Sequence, residues 1–318
     1  MSFLILIIGF ALLIKGADVF VEGASSIAKK FNVPSMIIGL TIVAMGTSAP
    51  EAAVSVTSSL AGQNDMSVAN VVGSNFFNIL VVLGVSSIIA KLPVQKETIK
   101  KDTPFLILVS VLLLAFGINL KLGRLEGLVL LVLFTYFLVN TIKSAKKSTE
   151  NTSSESGESA IAVETETTSE ISLPKTILIS IIGIIGIVVG GDMVVDSATS
   201  IATAFGMSAN LVGLTIVAVG TSLPEFVTSV VAIKKGETEI AIGNVIGSNV
   251  FNILLVLGLA AVINPIPMSM FAFIDIIFMV LITLLLYLFM KKKNSLVKGQ
   301  GIILVVLYIG YMAYTIIR

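Results

Sequence analysis

Residues 39–51 read GLTIVAMGTSAPE and residues 213–225 read GLTIVAVGTSLPE, so thirteen positions recur with eleven identities at an offset of 174. The same offset, without a gap, carries Asn70 onto Asn244, Gly73 onto Gly247, Ser74 onto Ser248 and Asn78 onto Asn252. Further out it carries Gly16 onto Gly190, Asp18 onto Asp192, Phe31 onto Phe205 and Pro93 onto Pro267. The chain is one unit written twice. Any fold proposed for the first copy must serve the second.

The unit is built from apolar runs of about 20 residues, the length a helix needs to cross a bilayer. Of the 318 residues 56% are hydrophobic and only 12% are charged, whereas soluble domains carry about a quarter charged residues. Ten spans are expected, at 2–28, 35–61, 67–89, 104–119, 125–143, 174–203, 209–233, 239–262, 270–290 and 299–316. The fold class is therefore all-α integral membrane, multi-pass in the cell (plasma) membrane. The first run lacks a basic n-region and an A-x-A-like site, so it reads as a retained helix and not a signal peptide.

Between the fifth and sixth runs lies a hydrophilic stretch, 145–173, rich in Ser, Thr and Glu, with six Glu residues. Such a composition cannot bury enough surface to order itself, which predicts a flexible linker between units 1–144 and 174–318. Five spans per unit is an odd number, so the two copies must insert with opposite orientation, a recurring plan of secondary transporters. With the N-terminus outside, the inner loops hold 16 of the 20 basic residues. That asymmetry places the linker in the cytoplasm and both termini outside.

The chain contains no Cys and no His, which removes disulfides, thiolate and imidazole metal ligands, and histidine proton relays. A net charge of +1 points to no nucleic-acid partner. An intramembrane hydrolase would need a nucleophile–base dyad or a GxGD motif, and the sequence offers neither; the chain does not read as an enzyme.

Glu51 and Glu225 stand near the middle of the second and seventh runs. A charge at membrane depth costs about 2.5–3.5 kcal/mol on insertion scales, and neither run has a basic neighbour to offset it. A transported cation is the expected counter-charge. Thr47 and Ser48 precede Glu51 by four and three residues, placing their hydroxyls on its helix face. Pro50 clashes with the Gly46 carbonyl and must kink or unwind the helix, freeing carbonyls as ligands. Thr221, Ser222, Pro224 and Glu225 repeat the arrangement. Asn70, Ser74 and Asn78 form a polar stripe on the third run, matched by Asn244, Ser248 and Asn252 on the eighth, while Gly73 and Gly247 should let backbones approach. Carboxylate, hydroxyl, amide and carbonyl oxygens without nitrogen or sulfur donors suit a hard cation such as Ca2+ or Na+. For any single copy, helix packing explains the same residues equally well; the doubled motif with two central carboxylates favours the ion site. Asp18, Glu22, Asp192 and Asp196 read as structural or ion-pathway groups, with Lys15 as a candidate partner for Asp18 or Glu22. Asp275 is assigned no role.

The paired GTSxPE and NxxGSNxxN stretches resemble the two alpha-repeats (here 39–84 and 213–258) of the Ca2+:cation antiporter superfamily, specifically its prokaryotic Na+/Ca2+ exchangers. The resemblance covers the whole chain. It implies an antiporter that exchanges Na+ for Ca2+ by alternating access, with no cofactor beyond the transported ions and with a monomer sufficient for transport. The implied ion ligands are Thr47, Ser48, Glu51, Ser74, Asn78, Thr221, Ser222, Glu225 and Ser248, with the backbone carbonyls of Ala44 and Ala218. Asn252 joins this set where some members carry Asp; K+-dependent members tend to have an acid there, so Asn252 implies K+ independence. Two ionised carboxylates are neutralised by one Ca2+ or two Na+, and a third Na+, as the family implies, makes the cycle electrogenic. The alternatives are a cation/proton (Ca2+/H+) antiporter of the same superfamily and a passive cation channel.

Overall fold

The computed structural model describes residues 2–62, 65–155, 173–207 and 218–317. Nearly all of them are helical, as an apolar chain that must satisfy its own backbone hydrogen bonds requires. Helix α1 spans Ser2–Lys30. Helices α2 (Ser35–Thr47) and α3 (Ala49–Leu60) are two arms of one run bent by 47°. Then come α4 (Ser67–Ile89), α5 (Thr98–Asn119) and α6, which begins at Arg124. In the second half α7 covers Leu173–Ala204. A short turn at Ala218–Gly220 precedes α8, Leu223–Lys234. The chain ends in α9 (Thr238–Ile263), α10 (Met270–Lys293) and α11 (Lys298–Ile317).

Among the described residues, eight helices are long and apolar enough to cross a membrane, and the bent pair α2–α3 makes a ninth. These nine coincide with nine of the ten expected runs. The remaining run, 209–233, is represented by Ala218–Gly220 and α8; residues 208–217 lie outside the described residues. Large apolar side chains such as Ile7, Leu125 and Val306 are exposed on the outer faces, as a lipid-facing surface demands.

Helices α4 and α9 form the centre and are mostly buried. Helix α9 is packed against α2 through glycine. A Cβ added to Gly243 would lie 2.6 Å from the Met36 carbonyl oxygen, and one on Gly247 would lie 2.6 Å from that of Leu40. No side chain fits at these two positions between α2 and α9. Around Gly73 an added Cβ would meet nothing within 4 Å among the described residues, and residues 208–217, which the 174 offset equates with 34–43, lie outside them. The expected close approach holds for Gly247. Helices α1 and α7 also run backbone to backbone, with Gly16 and Gly190 at the closest points.

The two halves are stitched together by short strands. β1 (Leu92–Pro93) pairs antiparallel with β4 (Ser295–Leu296), and β2 (Lys121–Leu122) with β3 (Ile266–Pro267). The 174-residue offset turns one pair into the other: Leu92↔Leu296 becomes Ile266↔Leu122. Each ladder takes one strand from each half, so neither half completes it alone.

Helix α6 continues to Glu155, ten residues past the expected start of the linker at 145. Residues 141–155 contain neither Gly nor Pro and include Lys, Ala and Glu, which favour helix; the first breaker is Gly157. The rest of the expected linker, 156–172, lies outside the described residues.

Candidate cation site

The site forms where the α2–α3 bend and the start of α8 meet α4 and α9. Pro50 lies in the first turn of α3 and Pro224 in the first turn of α8, where a missing N–H costs nothing. Ser48 and Ser222, each just before its proline helix, leave the helical conformation at ψ 7° and ψ 6°. The break therefore changes the expected geometry. Ser48 does not share a helix face with its own Glu51. Its hydroxyl crosses to the other copy and donates to Glu225 Oε1 at 2.9 Å. Reciprocally, Ser222 Oγ lies 3.3 Å from Glu51 Oε1 and 2.9 Å from Ser74 Oγ.

Glu51 and Glu225 have no exposed surface. From α4, Ser74 donates to Glu51 Oε1 at 3.1 Å, and from α9, Ser248 donates to Glu225 Oε1 at 3.3 Å. One oxygen of each carboxylate is thus held by serine hydroxyls. The other, Oε2 in both residues, is buried without a hydrogen-bond partner among the described residues, as are Asn78 Oδ1 and Asn252 Oδ1. Buried acceptors without donors are costly unless a cation meets them.

The neighbouring polar residues divide into two groups. Asn70 donates to the Glu51 carbonyl (3.4 Å) and to Ser55 Oγ (3.1 Å); Asn244 does the same for the Glu225 carbonyl (3.3 Å) and Ser229 Oγ (3.0 Å). These two anchor the helices that carry the glutamates. The Thr47 hydroxyl faces three acceptors, the carbonyls of Val43 (3.1 Å) and Ala44 (3.4 Å) and Asn244 Oδ1 (3.0 Å). The Ala44 carbonyl also accepts the Ser48 N–H at 3.0 Å. Ala218 opens the short turn at Ala218–Gly220. Asn78 and Asn252 each begin a widened π-helical turn, in which Leu83 N–H bonds Asn78 O and Leu257 N–H bonds Asn252 O. Such turns shift the phase of a helix and frequently mark functional positions.

Sequence reasoning passed over Asn75 and Asn249, which also recur at the 174 offset. Asn78 Nδ2 donates to Asn249 Oδ1 and Asn252 Nδ2 to Asn75 Oδ1, both at 3.1 Å. The duplication itself carried the signal. Among the described residues no group of three or more His, Cys, Asp or Glu could hold a metal. A cation here would have two carboxylates and otherwise neutral oxygens, a set that matches the hard-ion preference for oxygen.

Away from this centre, Lys235, just past α8, pairs with Asp18 Oδ1 at 2.9 Å and Glu22 Oε2 at 3.3 Å on α1. Lys15, the expected partner, makes no ion pair within 4 Å among the described residues. Lys15 and Asp18 are three positions apart on one helix, whereas Lys235 arrives from a loop between the two acids.

The family described as sodium/calcium exchanger protein matches residues 1–143 and 175–317. Sodium/calcium exchanger MaX1 of Methanosarcina acetivorans is 32% identical over 340 residues, covering 98% of this chain and 97% of the relative. Inner membrane protein YrbG of Escherichia coli is 35% identical, covering 94% and 91%. A structure of the sodium–calcium exchanger NCX_Mj, soaked with Na+ and Ca2+, superposes with a TM-score of 0.84 at 34% identity, covering 98% and 97% of the two chains. With both motif copies inside the matched segments and a fold shared along almost its full length, this chain is a multi-pass membrane protein of the sodium/calcium exchanger family.

Proposed function

We propose that this chain is a secondary antiporter that exchanges Na+ for Ca2+, with Glu51 and Glu225 as the shared charge of the two ions' sites. The observation that carries the reading is the pair of fully buried carboxylates, each with one oxygen held by serines and the other, among the described residues, without a partner beside similarly unpartnered Asn78 and Asn252 oxygens. Glu51, Glu225, Ser48, Ser222, Ser74, Ser248, Asn78 and Asn252 supply side-chain ligands, with Thr47 and Thr221 at the margins. The carbonyls of Ala44 and Ala218 complete the set.

An empty site would carry about two negative charges through a low-dielectric region, at a cost of several kcal/mol per ion. One Ca2+ or two Na+ removes that charge. Only the loaded carrier then reorients cheaply, which makes exchange obligatory. A third Na+ renders the cycle electrogenic, gaining about 2.3 kcal/mol per net charge per 100 mV. The sequence duplication and the exchanged strand pairs support two inverted five-helix repeats, 1–144 and 174–318, joined by a cytoplasmic linker across 145–173. The full arrangement has ten spans and external termini. The glycine-lined contact of α1 with α7 supports movement of that pair over the rest.

Proteoliposome flux with Na+, K+ and H+ gradients imposed one at a time tests the reading. Uptake of 45Ca2+ driven by outward Na+ alone is the expected result. Uptake driven only by a proton gradient would make the protein a Ca2+/H+ antiporter, and uptake independent of counter-ions would make it a channel.

A further inference from the structure

Asn75 on α4 and Asn249 on α9 are 1% and 0% exposed and touch neither glutamate by any hydrogen bond. Their bonds cross the duplication. Asn249 Oδ1 accepts the Nδ2 of Asn78, which belongs to the other repeat, and Asn75 Oδ1 accepts the Nδ2 of Asn252. A side-chain amide has one donor end and one acceptor end. Fixing Nδ2 outward turns Oδ1 the opposite way, and in both residues that Oδ1 has no partner among the described residues. Asn252 Nδ2 makes a second bond, to Ser74 Oγ at 3.0 Å, and Ser74 in turn donates to Glu51 Oε1. The orientation of the Asn252 amide is therefore tied to the Glu51 carboxylate, while Asn75 itself is anchored through Nδ2 to the Asn249 carbonyl at 3.4 Å.

We propose that Asn75 and Asn249 are positioning residues, each holding the amide of the other repeat's ligand asparagine so that its oxygen, not its nitrogen, faces a hard cation. The assignment rests on Asn78 and Asn252 being ligands, as proposed above. A neutral ligand has no charge to keep it pointed at a cation, and an amide that rotates by half a turn presents two N–H donors to the ion instead of an oxygen. The crossed bonds oppose that second orientation, most firmly at Asn252, because Asn75 Nδ2 is itself tied to the Asn249 carbonyl whereas Asn249 Nδ2 has no partner among the described residues. They also place each repeat's ligand under the control of the other, so the site is assembled only when α4 and α9 keep their register. Residues that orient a ligand from outside the coordination sphere commonly change metal affinity by about 10- to 100-fold when removed.

The test is equilibrium 45Ca2+ binding to the purified full-length chain in detergent, run as a double-mutant cycle. Asn249→Leu keeps the branched shape and removes the acceptor; it is expected to raise half-saturating Ca2+ about ten-fold. In an Asn78→Ala background the same substitution should cost nothing more, whereas in an Asn252→Ala background it should cost its full factor. Wild-type affinity in Asn249→Leu, or a loss that adds undiminished to that of Asn78→Ala, would overturn the proposal, because mere helix glue acts independently of the ligand. If Asn249→Leu does not yield a monodisperse protein, the mirrored cycle of Asn75→Leu with Asn252→Ala decides. Loss of fold at both positions marks a purely structural pair and equally overturns it. Binding is read without any gradient, so coupled binding without Na+-driven flux would refute the exchanger reading while sparing this one, and the reverse pattern would do the opposite.

Discussion

Ser48 donates a hydrogen bond of 2.9 Å to Glu225, a residue 177 positions away, and not to the glutamate three positions along its own chain. Each motif copy thereby serves the carboxylate of the other. The two acids are one site because the bends at Ser48 and Ser222 turn the hydroxyls across the interface.

Replacing either carboxylate removes half of the charge that balances a divalent ion. Glu51→Gln and Glu225→Gln should each abolish Na+-driven 45Ca2+ uptake in vesicles while leaving thermal stability at or above that of the parent, because a buried charge is replaced by a neutral amide. Normal uptake by both variants would remove the site assignment.

Removing one crossed donor should loosen the site without emptying it. Ser48→Ala leaves Glu225 Oε1 with Ser248 as its remaining hydroxyl contact, and hydrogen bonds to charged groups contribute about 1.5–3 kcal/mol. The half-saturating Ca2+ concentration should rise about ten-fold, with Ser48→Thr restoring most of it. An unchanged value in Ser48→Ala would show that the crossed bond is incidental.

Protons should compete with the cation. Protonating either carboxylate cancels charge that Ca2+ needs, so apparent Ca2+ affinity must fall as the medium is acidified. Measuring half-saturation from neutral to acid pH checks this, and a flat profile would contradict the role of the acids.

The close approach at Gly247 gives a stability prediction. Gly247→Ala drives a methyl to 2.6 Å from the Leu40 carbonyl oxygen and 2.7 Å from Ala44 Cβ. Overpacking of this kind costs about 1–3 kcal/mol. Thermal unfolding in detergent measures the loss, and an unchanged midpoint in Gly247→Ala would mean that α2 and α9 are not in this close contact.

Lys235 joins α1 to the loop after α8 through Asp18 and Glu22. Burial alone would pull its ammonium pKa down, but the bonds to the two carboxylates outweigh that and raise it above the usual 10.5. A raised lysine stabilises fully below its unfolded value, and the contribution is lost only as pH climbs past the folded one. Because the acids are partly exposed, Lys235→Ala should cost about 1 kcal/mol or less. The deficit should be constant through neutral pH and vanish only in strong alkali. Denaturation curves across that range measure it.

The repeat, the apolar runs and the two intramembrane acids are written in the linear order of residues, because bilayer thickness sets span length and an uncompensated carboxylate at depth marks itself. From these the helical class, the family resemblance and the residues around Glu51 and Glu225 were all legible. What the order of residues could not decide is which hydroxyl reaches which carboxylate. That depends on a 47° bend at Ser48 and on the glycine-set approach of α2 to α9, both products of packing between segments distant in sequence. The same reason hid Asn75 and Asn249, whose bonds run only between repeats. It also led Lys15 to be preferred over Lys235, since spacing along one helix cannot register a cation delivered from a loop more than 200 residues away.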